Sequence, residues 1–210
     1  MSKNIIALNW RYATKKYSPE KKISSEQFNT LFESIRLSPS SFGLQPYKII
    51  HVVDNDIREK LQGAAWGQPQ ITEASDLLVF TVPKNLNNDQ VDSFIKKTAE
   101  IRGVDIDSLS EYTEMIKGSL GSRTSEEKII WSAKQAYIAL GILLTVVADQ
   151  QIDATPIEGF DPKQFDQILG LDDHDLTSVV VVALGYRADD DSYATLEKVR
   201  KSKEELYMEI

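Results

Sequence analysis

The sequence predicts an α+β fold: one domain over residues 1–210, with a small central sheet covered by helices. Three observations lead there. The valine run from Ser178 to Leu184 ends at Gly185 and reads as a strand buried on both faces. Two shorter apolar runs, Lys48 to Val53 and Leu77 to Val82, read as further strands. Two capping boxes, Ser24-Ser25-Glu26-Gln27 and Thr124-Ser125-Glu126-Glu127, open helices on either side of them. Helices and strands are interspersed, with no internal repeat, no low-complexity tract and no interdomain linker.

Taken in order, residues 3 to 13 contain no helix breaker and read as a helix, although Ile5, Ile6, Leu8, Asn9 and Trp10 fit an apolar stripe only in part. This helix delivers Arg11 and Lys15 at or just past its end. The helix opened by Ser24 places Phe28, Leu31, Phe32 and Ile35 on one face, and Pro39 stops it, because the residue before a proline avoids the α region. Ile57 to Ala65 is helical between the first two strands, followed by a turn at Gly67-Gln68-Pro69-Gln70. Residues 86 to 122 are polar and mostly helical in propensity, with weak periodicity around Ile95, Leu109 and Met115. From Trp131 the helix opened by Thr124 becomes apolar around most of its circumference as it runs to Asp149. In a chain this short that predicts a central or subunit-interface helix.

Length and composition narrow the function. A single domain of 210 residues buries roughly 70% of its unfolded surface. A hydrophobic fraction of 41% and a charged fraction of 27% are ordinary for a globular chain. The net charge of −8 argues against nucleic acid, whose binding needs a basic surface, and against an anionic membrane surface. The absence of cysteine removes disulfides, thiolate nucleophiles and Cys-ligated metal or iron–sulfur centres, and no metal site is expected. Redox chemistry would then belong to a bound cofactor. The apolar stretch Ala136 to Ala148 is shorter than the roughly 20 residues that span a bilayer, and no secretory signal is visible at the start, so the expectation is a cytoplasmic protein.

Four separated segments stand out. They are Arg11-Tyr12-Ala13-Thr14-Lys15, Ser38-Pro39-Ser40-Ser41-Phe42-Gly43-Leu44-Gln45-Pro46-Tyr47, Thr155-Pro156-Ile157-Glu158-Gly159-Phe160, and Lys198 with Arg200. Read alone, the four cations are solvated surface charge, with Lys198 and Arg200 part of a basic stretch of a terminal helix. Likewise the Ser40-Ser41 loop is a proline-bounded turn, and Pro156 to Phe160 caps a helix beginning near Asp161 with Pro162 in its first turn. A serine-hydrolase reading of Ser40 or Ser41 lacks a Gly-x-Ser-x-Gly elbow, and neither His51 nor His174 sits in a triad context. No Gly-x-Gly-x-x-Gly, phosphate-loop or His-Glu-x-x-His motif is present.

Together, in order and spacing nearly end to end, these segments resemble the nitroreductase family: dimeric flavoproteins that carry FMN and move hydride from NADH or NADPH to nitro compounds, quinones and similar small-molecule acceptors. The resemblance implies a nitroreductase-like fold and an intertwined homodimer. It implies that Arg11, Tyr12, Ala13 and Lys15 meet FMN, with Arg11, Lys198 and Arg200 clamping the phosphate and Lys15 tuning the isoalloxazine ring electronically. Pro39, Ser40, Ser41 and Gln45 would approach FMN from the neighbouring subunit. Pro156, Ile157, Glu158 and Gly159 would present main chain to flavin N5. Gly67 aligns with an asparagine that commonly touches the ring, so that Gln68 or Gln70 would replace it. Phe42 and Trp66 would line the substrate cavity. Ala13 stands where relatives often carry serine, and Phe42 where they carry a smaller polar residue. The same scaffold would also serve a dihydropteridine reductase or flavin-dependent dehalogenase, or a flavin-binding or structural dimer without activity.

Overall fold

The computed structural model describes residues 1–210. In chain order the helices and strands are α1 (Lys3–Trp10), α2 (Ser25–Arg36), β1 (Lys48–Val52), α3 (Asn55–Ala64), α4 (Gln70–Glu73), β2 (Asp76–Pro83), α5 (Asn88–Arg102), α6 (Ser110–Gly121), α7 (Ser125–Asp149), β3 (Asp153–Ile157), α8 (Pro162–Leu169), β4 (Leu176–Gly185) and α9 (Lys203–Leu206). The four strands form one sheet in the order β1-β2-β4-β3, and every neighbouring pair is antiparallel.

The two central strands explain the valine run. Successive residues of a strand face opposite sides of a sheet, and both sides here are covered. On one side Leu78, Phe80 and Val82 of β2 with Val180, Val182 and Leu184 of β4 pack against Leu31 and Ile35 of α2 and Ala136, Ala139, Leu140 and Leu143 of α7. On the other, Leu77, Val79, Val181 and Ala183 pack against Leu61, Ile71, Phe160 and Phe165. The register shifts between Phe80 and Thr81, where β2 passes from Val180 to Ser178.

Both capping boxes form as the sequence requires. Ser24 accepts from the Gln27 amide and Thr124 from the Glu127 amide, each with the reciprocal side-chain bond. Of the predicted α2 face, Leu31 and Ile35 are buried, whereas Phe32 stays largely exposed. The first helix stops at Trp10 and not at residue 13, because Arg11 turns to extended dihedrals (φ −70°, ψ 146°). The stretch 86 to 122 folds as α5 and α6 around its own small core of Leu86, Val91, Ile95, Ile116 and Leu120. Met115 is exposed and Ile116, one residue on, is the buried position.

Two elements differ from expectation. Residues 153–157 form an edge strand, which the sequence conceals because Pro156 breaks its pattern; proline is tolerated only where a strand lacks a second neighbour. The segment carrying Lys198 and Arg200 is not helical, and helix resumes only at Lys203.

Helix α7 runs 25 residues and by length and composition is apolar enough to cross a membrane. Here its inner face, including Ser132, Gln135, Ala136, Ala139 and Leu143, is buried in the fold, while Ile130, Tyr137, Ile138 and Ile142 on the opposite side remain 38–49% exposed. An apolar stripe is thus left open along this core helix.

Candidate flavin and phosphate site

The end of α1 carries the first group of predicted residues. The Arg11 guanidinium is part-buried; its Nη2 donates to the carbonyls of Tyr12 at 3.3 Å and Ala154 at 3.4 Å. Its Nε is buried without any partner. Leaving a charged donor unsatisfied is costly, so the orphan marks a place where an anion would fit.

The neighbours sharpen that reading. Burial, and then the charge of Arg200, lower the Arg11 pKa. Lys198 is likewise held below the usual lysine range, by burial first and then by Arg11, Arg200 and Arg187. The Lys198 Nζ donates to the Asn9 carbonyl at 2.6 Å, which bends the C-terminal segment back onto α1. Thus Arg11, Lys198 and Arg200, which lie nearly the whole chain apart, stand near enough for their charges to oppose one another, while the Arg200 guanidinium itself donates to the Val199 carbonyl. A small cavity of about 240 Å³ nearby is bounded by Asn9, Trp10, Tyr12, Leu196, Glu197 and Lys198; Arg11 and Arg200 do not line it.

Asp191 organises the rest of this segment. Its Oδ2 accepts from the Tyr12 hydroxyl at 2.9 Å, the Lys15 amide at 2.8 Å and the Lys16 amide at 3.1 Å. Burial and the bond to Asp191 push the Tyr12 phenol up to about 12. The Lys15 side chain is free to reach outward, its Nζ standing 5.7 Å from the centre of the Tyr193 ring. Ala13 is half-buried, and beside it the buried Thr14 hydroxyl donates to Asp153 at 3.2 Å.

A second group meets at the end of β3. The turn after α3 puts Trp66 and Gly67 in the left-handed region (φ 56° and 76°), and the Gln68 Nε2 donates to the Gly159 carbonyl at 2.6 Å. Pro156 and Ile157 lie in β3 itself, paired with Val182 and Val181. The Glu158 side chain accepts from the Tyr137 hydroxyl of α7 at 2.6 Å, while the Glu158 and Gly159 amides find no protein acceptor. Trp66, predicted to line the substrate cavity, is 73% exposed and lies over Gly159. Gln70 is buried, with its Oε1 unpartnered.

The third group lies elsewhere. After Pro39, the Ser40 hydroxyl accepts from the Gln45 amide at 2.9 Å, and the Ser41 amide donates to Gln135 of α7 at 2.8 Å. Phe42 and Gln45 hold left-handed φ values of 59° and 46°, unfavourable for residues with a Cβ. The Phe42 carbonyl accepts from Tyr112 of α6. This loop forms one wall of a cleft of about 850 Å³, with Phe42, Leu44 and Gln45 facing Phe94 and Lys97 of α5. From Gln135 to the end of α7 is about 21 Å at 1.5 Å per residue, and Arg11 bonds to the chain beyond that end. Within one chain, therefore, Ser40 and Ser41 are not brought to Arg11.

Sequence reasoning missed Asp153, Arg187 and Asp191. Acidic and basic residues at strand ends give no pattern in the sequence, and these three are linked only through pairing of β3 with β4 and the return of the chain past α1.

A four-stranded antiparallel sheet with a long core helix and a part-buried arginine just past the end of α1 defines a class with known relatives. The pattern of the nitroreductase family covers residues 8–186, and the chain belongs to that family, a family of oxidoreductases. A Staphylococcus epidermidis protein described as "Putative NAD(P)H nitroreductase" is 35% identical over 215 aligned positions, covering 98% of this chain and 96% of that one. One of the same description from Staphylococcus haemolyticus is 34% identical, covering 98% and 97%. The fold is shared with the crystal structure of the Bacillus subtilis nitroreductase-type protein ydfN (TM-score 0.88, 22% identity, 98% of each chain). It is also shared with an Exiguobacterium sibiricum protein crystallised in complex with FMN (TM-score 0.83, 18% identity, 100% of this chain and 98% of that one).

Proposed function

We propose that this chain is an FMN-dependent NAD(P)H oxidoreductase, working as a homodimer and passing hydride by a ping-pong sequence to small acceptors such as nitroaromatics or quinones. The observation that carries the reading is the unpartnered, buried Nε of Arg11, close enough to Arg200 and Lys198 for their charges to act on one another. An arginine fork with two further cations suits a phosphate monoester.

FMN, when bound, would supply the hydride-transfer chemistry. The protein's part is placement. Arg11, Lys198 and Arg200 hold the phosphate, with Tyr12 and Ala13 beside it. Lys15, directed outward by the Asp191 carboxylate on its amide, offers positive charge near the edge of the ring and favours its anionic reduced form. The free amides of Glu158 and Gly159 serve as donors toward N5, and Pro156 and Ile157 fix that main chain in β3. Gly67 and Gln70, in the turn beside Gly159, would stand near the ring. Pro39, Ser40, Ser41 and Gln45 of one subunit complete the site of the other, which accords with their distance from Arg11 in a single chain. Phe42 and Trp66 wall the space above the ring. No side chain is required as acid or nucleophile.

Steady-state kinetics test this reading. Varying NAD(P)H at several fixed concentrations of a quinone should give parallel double-reciprocal lines, and Lys15→Ala should retain FMN but be reduced more slowly. Intersecting lines would remove the ping-pong sequence, and no turnover with any acceptor would remove the enzyme reading.

A further inference from the structure

The Arg11 side chain is long and flexible, yet a phosphate site needs its guanidinium in one place, and the residues around it show what holds it there. The backbone at Arg11 is extended, and the rings of the residues on either side both reach a single group. The guanidinium of Arg187 stands 4.3 Å from the centre of the Trp10 ring and 4.5 Å from that of Tyr12. With both flanking rings held at Arg187, the backbone between them is restricted, and with it the direction in which Arg11 leaves.

Arg187 is itself fixed. Its Nε donates to Asp153 Oδ1 at 2.9 Å and to Oδ2 at 3.0 Å, its Nη2 to Oδ1 at 2.6 Å, and its own amide to Oδ2 at 2.9 Å. Asp153 is 2% exposed and also accepts from the Thr14 hydroxyl. A planar guanidinium held edge-on by a carboxylate leaves both faces for aromatic rings, which a lysine ammonium cannot do. Arg187 also lies just outside the family match, which ends at residue 186.

We propose that Arg187 is a positioning residue of the phosphate site. It does not touch the anion; held by Asp153, it grips Trp10 and Tyr12 so that Arg11 meets the phosphate already ordered, which lowers the entropy cost of binding. This rests on the FMN reading above.

The test titrates apo-protein with FMN and with riboflavin, which lacks the phosphate, following flavin fluorescence. Arg187→Lys keeps the charge beside Asp153 but loses the stacked plane. FMN should bind roughly tenfold more weakly, riboflavin should change by less than about twofold, and adding Arg187→Lys to Arg11→Met should weaken FMN no further. If Arg187→Lys shows no cooperative thermal transition, Trp10→Leu, which leaves the Asp153 pair intact, should show the same FMN-selective loss to a smaller degree. Unchanged FMN affinity, equal weakening of both flavins, or a loss additive with Arg11→Met would overturn the role. In those cases wild-type FMN binding stands and only this inference falls; a wild-type chain that binds no FMN overturns both.

Discussion

Gly159 and Trp66 are in contact so close that a single methyl separates accommodation from collision: a Cβ built on Gly159 would lie 2.9 Å from Trp66 Cζ3 and 3.4 Å from Cε3. The glycine is needed here for space and not for an unusual φ. The indole it admits is 73% exposed, on a residue with left-handed backbone, and it covers the main chain proposed above to face flavin N5.

Gly159→Ala should therefore push the indole aside with little loss of fold, because the tightest obstruction is the exposed Trp66 ring, and the Gln68 Nε2 at 3.3 Å is the end of a flexible side chain. The expected result is an altered tryptophan emission spectrum and slower flavin reduction, with a melting temperature within a few degrees of wild type. A large fall in melting temperature would mean that Trp66 is structurally fixed.

The cationic pocket sets affinity against stability. Arg11 and Lys198 both have lowered pKa values, from burial first and from neighbouring cations second, so in the apo-protein their charged forms are disfavoured by folding. The unfolded chain binds the Lys198 proton more tightly. Stability carried by this group therefore rises as pH climbs through its folded pKa toward the unfolded value of 10.5. Melting curves of apo wild type and Lys198→Met should show an advantage of the variant near pH 7 that shrinks toward pH 10. The variant should also bind FMN more weakly. An advantage that grows with pH would contradict the sign of the shift.

The exposed side of α7 supplies a third prediction. Ile138 and Ile142 are 43% and 39% exposed, so Ile138→Glu should leave each chain folded while opposing association, since burying an unpaired charge is strongly unfavourable. Analytical ultracentrifugation should show monomers, and FMN affinity should fall with the dimer because Ser40 and Ser41 are withdrawn. A variant that is monomeric yet binds FMN at full affinity would show that each chain completes its own site.

Much of this was legible in the sequence, for physical reasons that differ by element. Capping boxes are local, so Ser24 and Thr124 announced α2 and α7. The valine run announced β4 because burial on both faces leaves no polar alternation to obscure it. Strand β3 was hidden by Pro156, and the burial of Ile116 over Met115 depends on how α6 packs against α5, which weak periodicity does not reveal. Arg11, Lys15, Lys198 and Arg200 stand out only through the family resemblance, since a lone Arg-x-x-x-Lys is ordinary surface charge. Their supports, Asp153, Arg187 and Asp191, are tertiary partners and leave no local trace.

The most direct test of the central claim is the visible spectrum of the FMN-reconstituted protein during anaerobic addition of NADH or NADPH. The account predicts a bound flavin that bleaches with the nicotinamide and regains its colour when a quinone or nitroaromatic follows. A protein that retains no FMN and oxidises neither nicotinamide would contradict it.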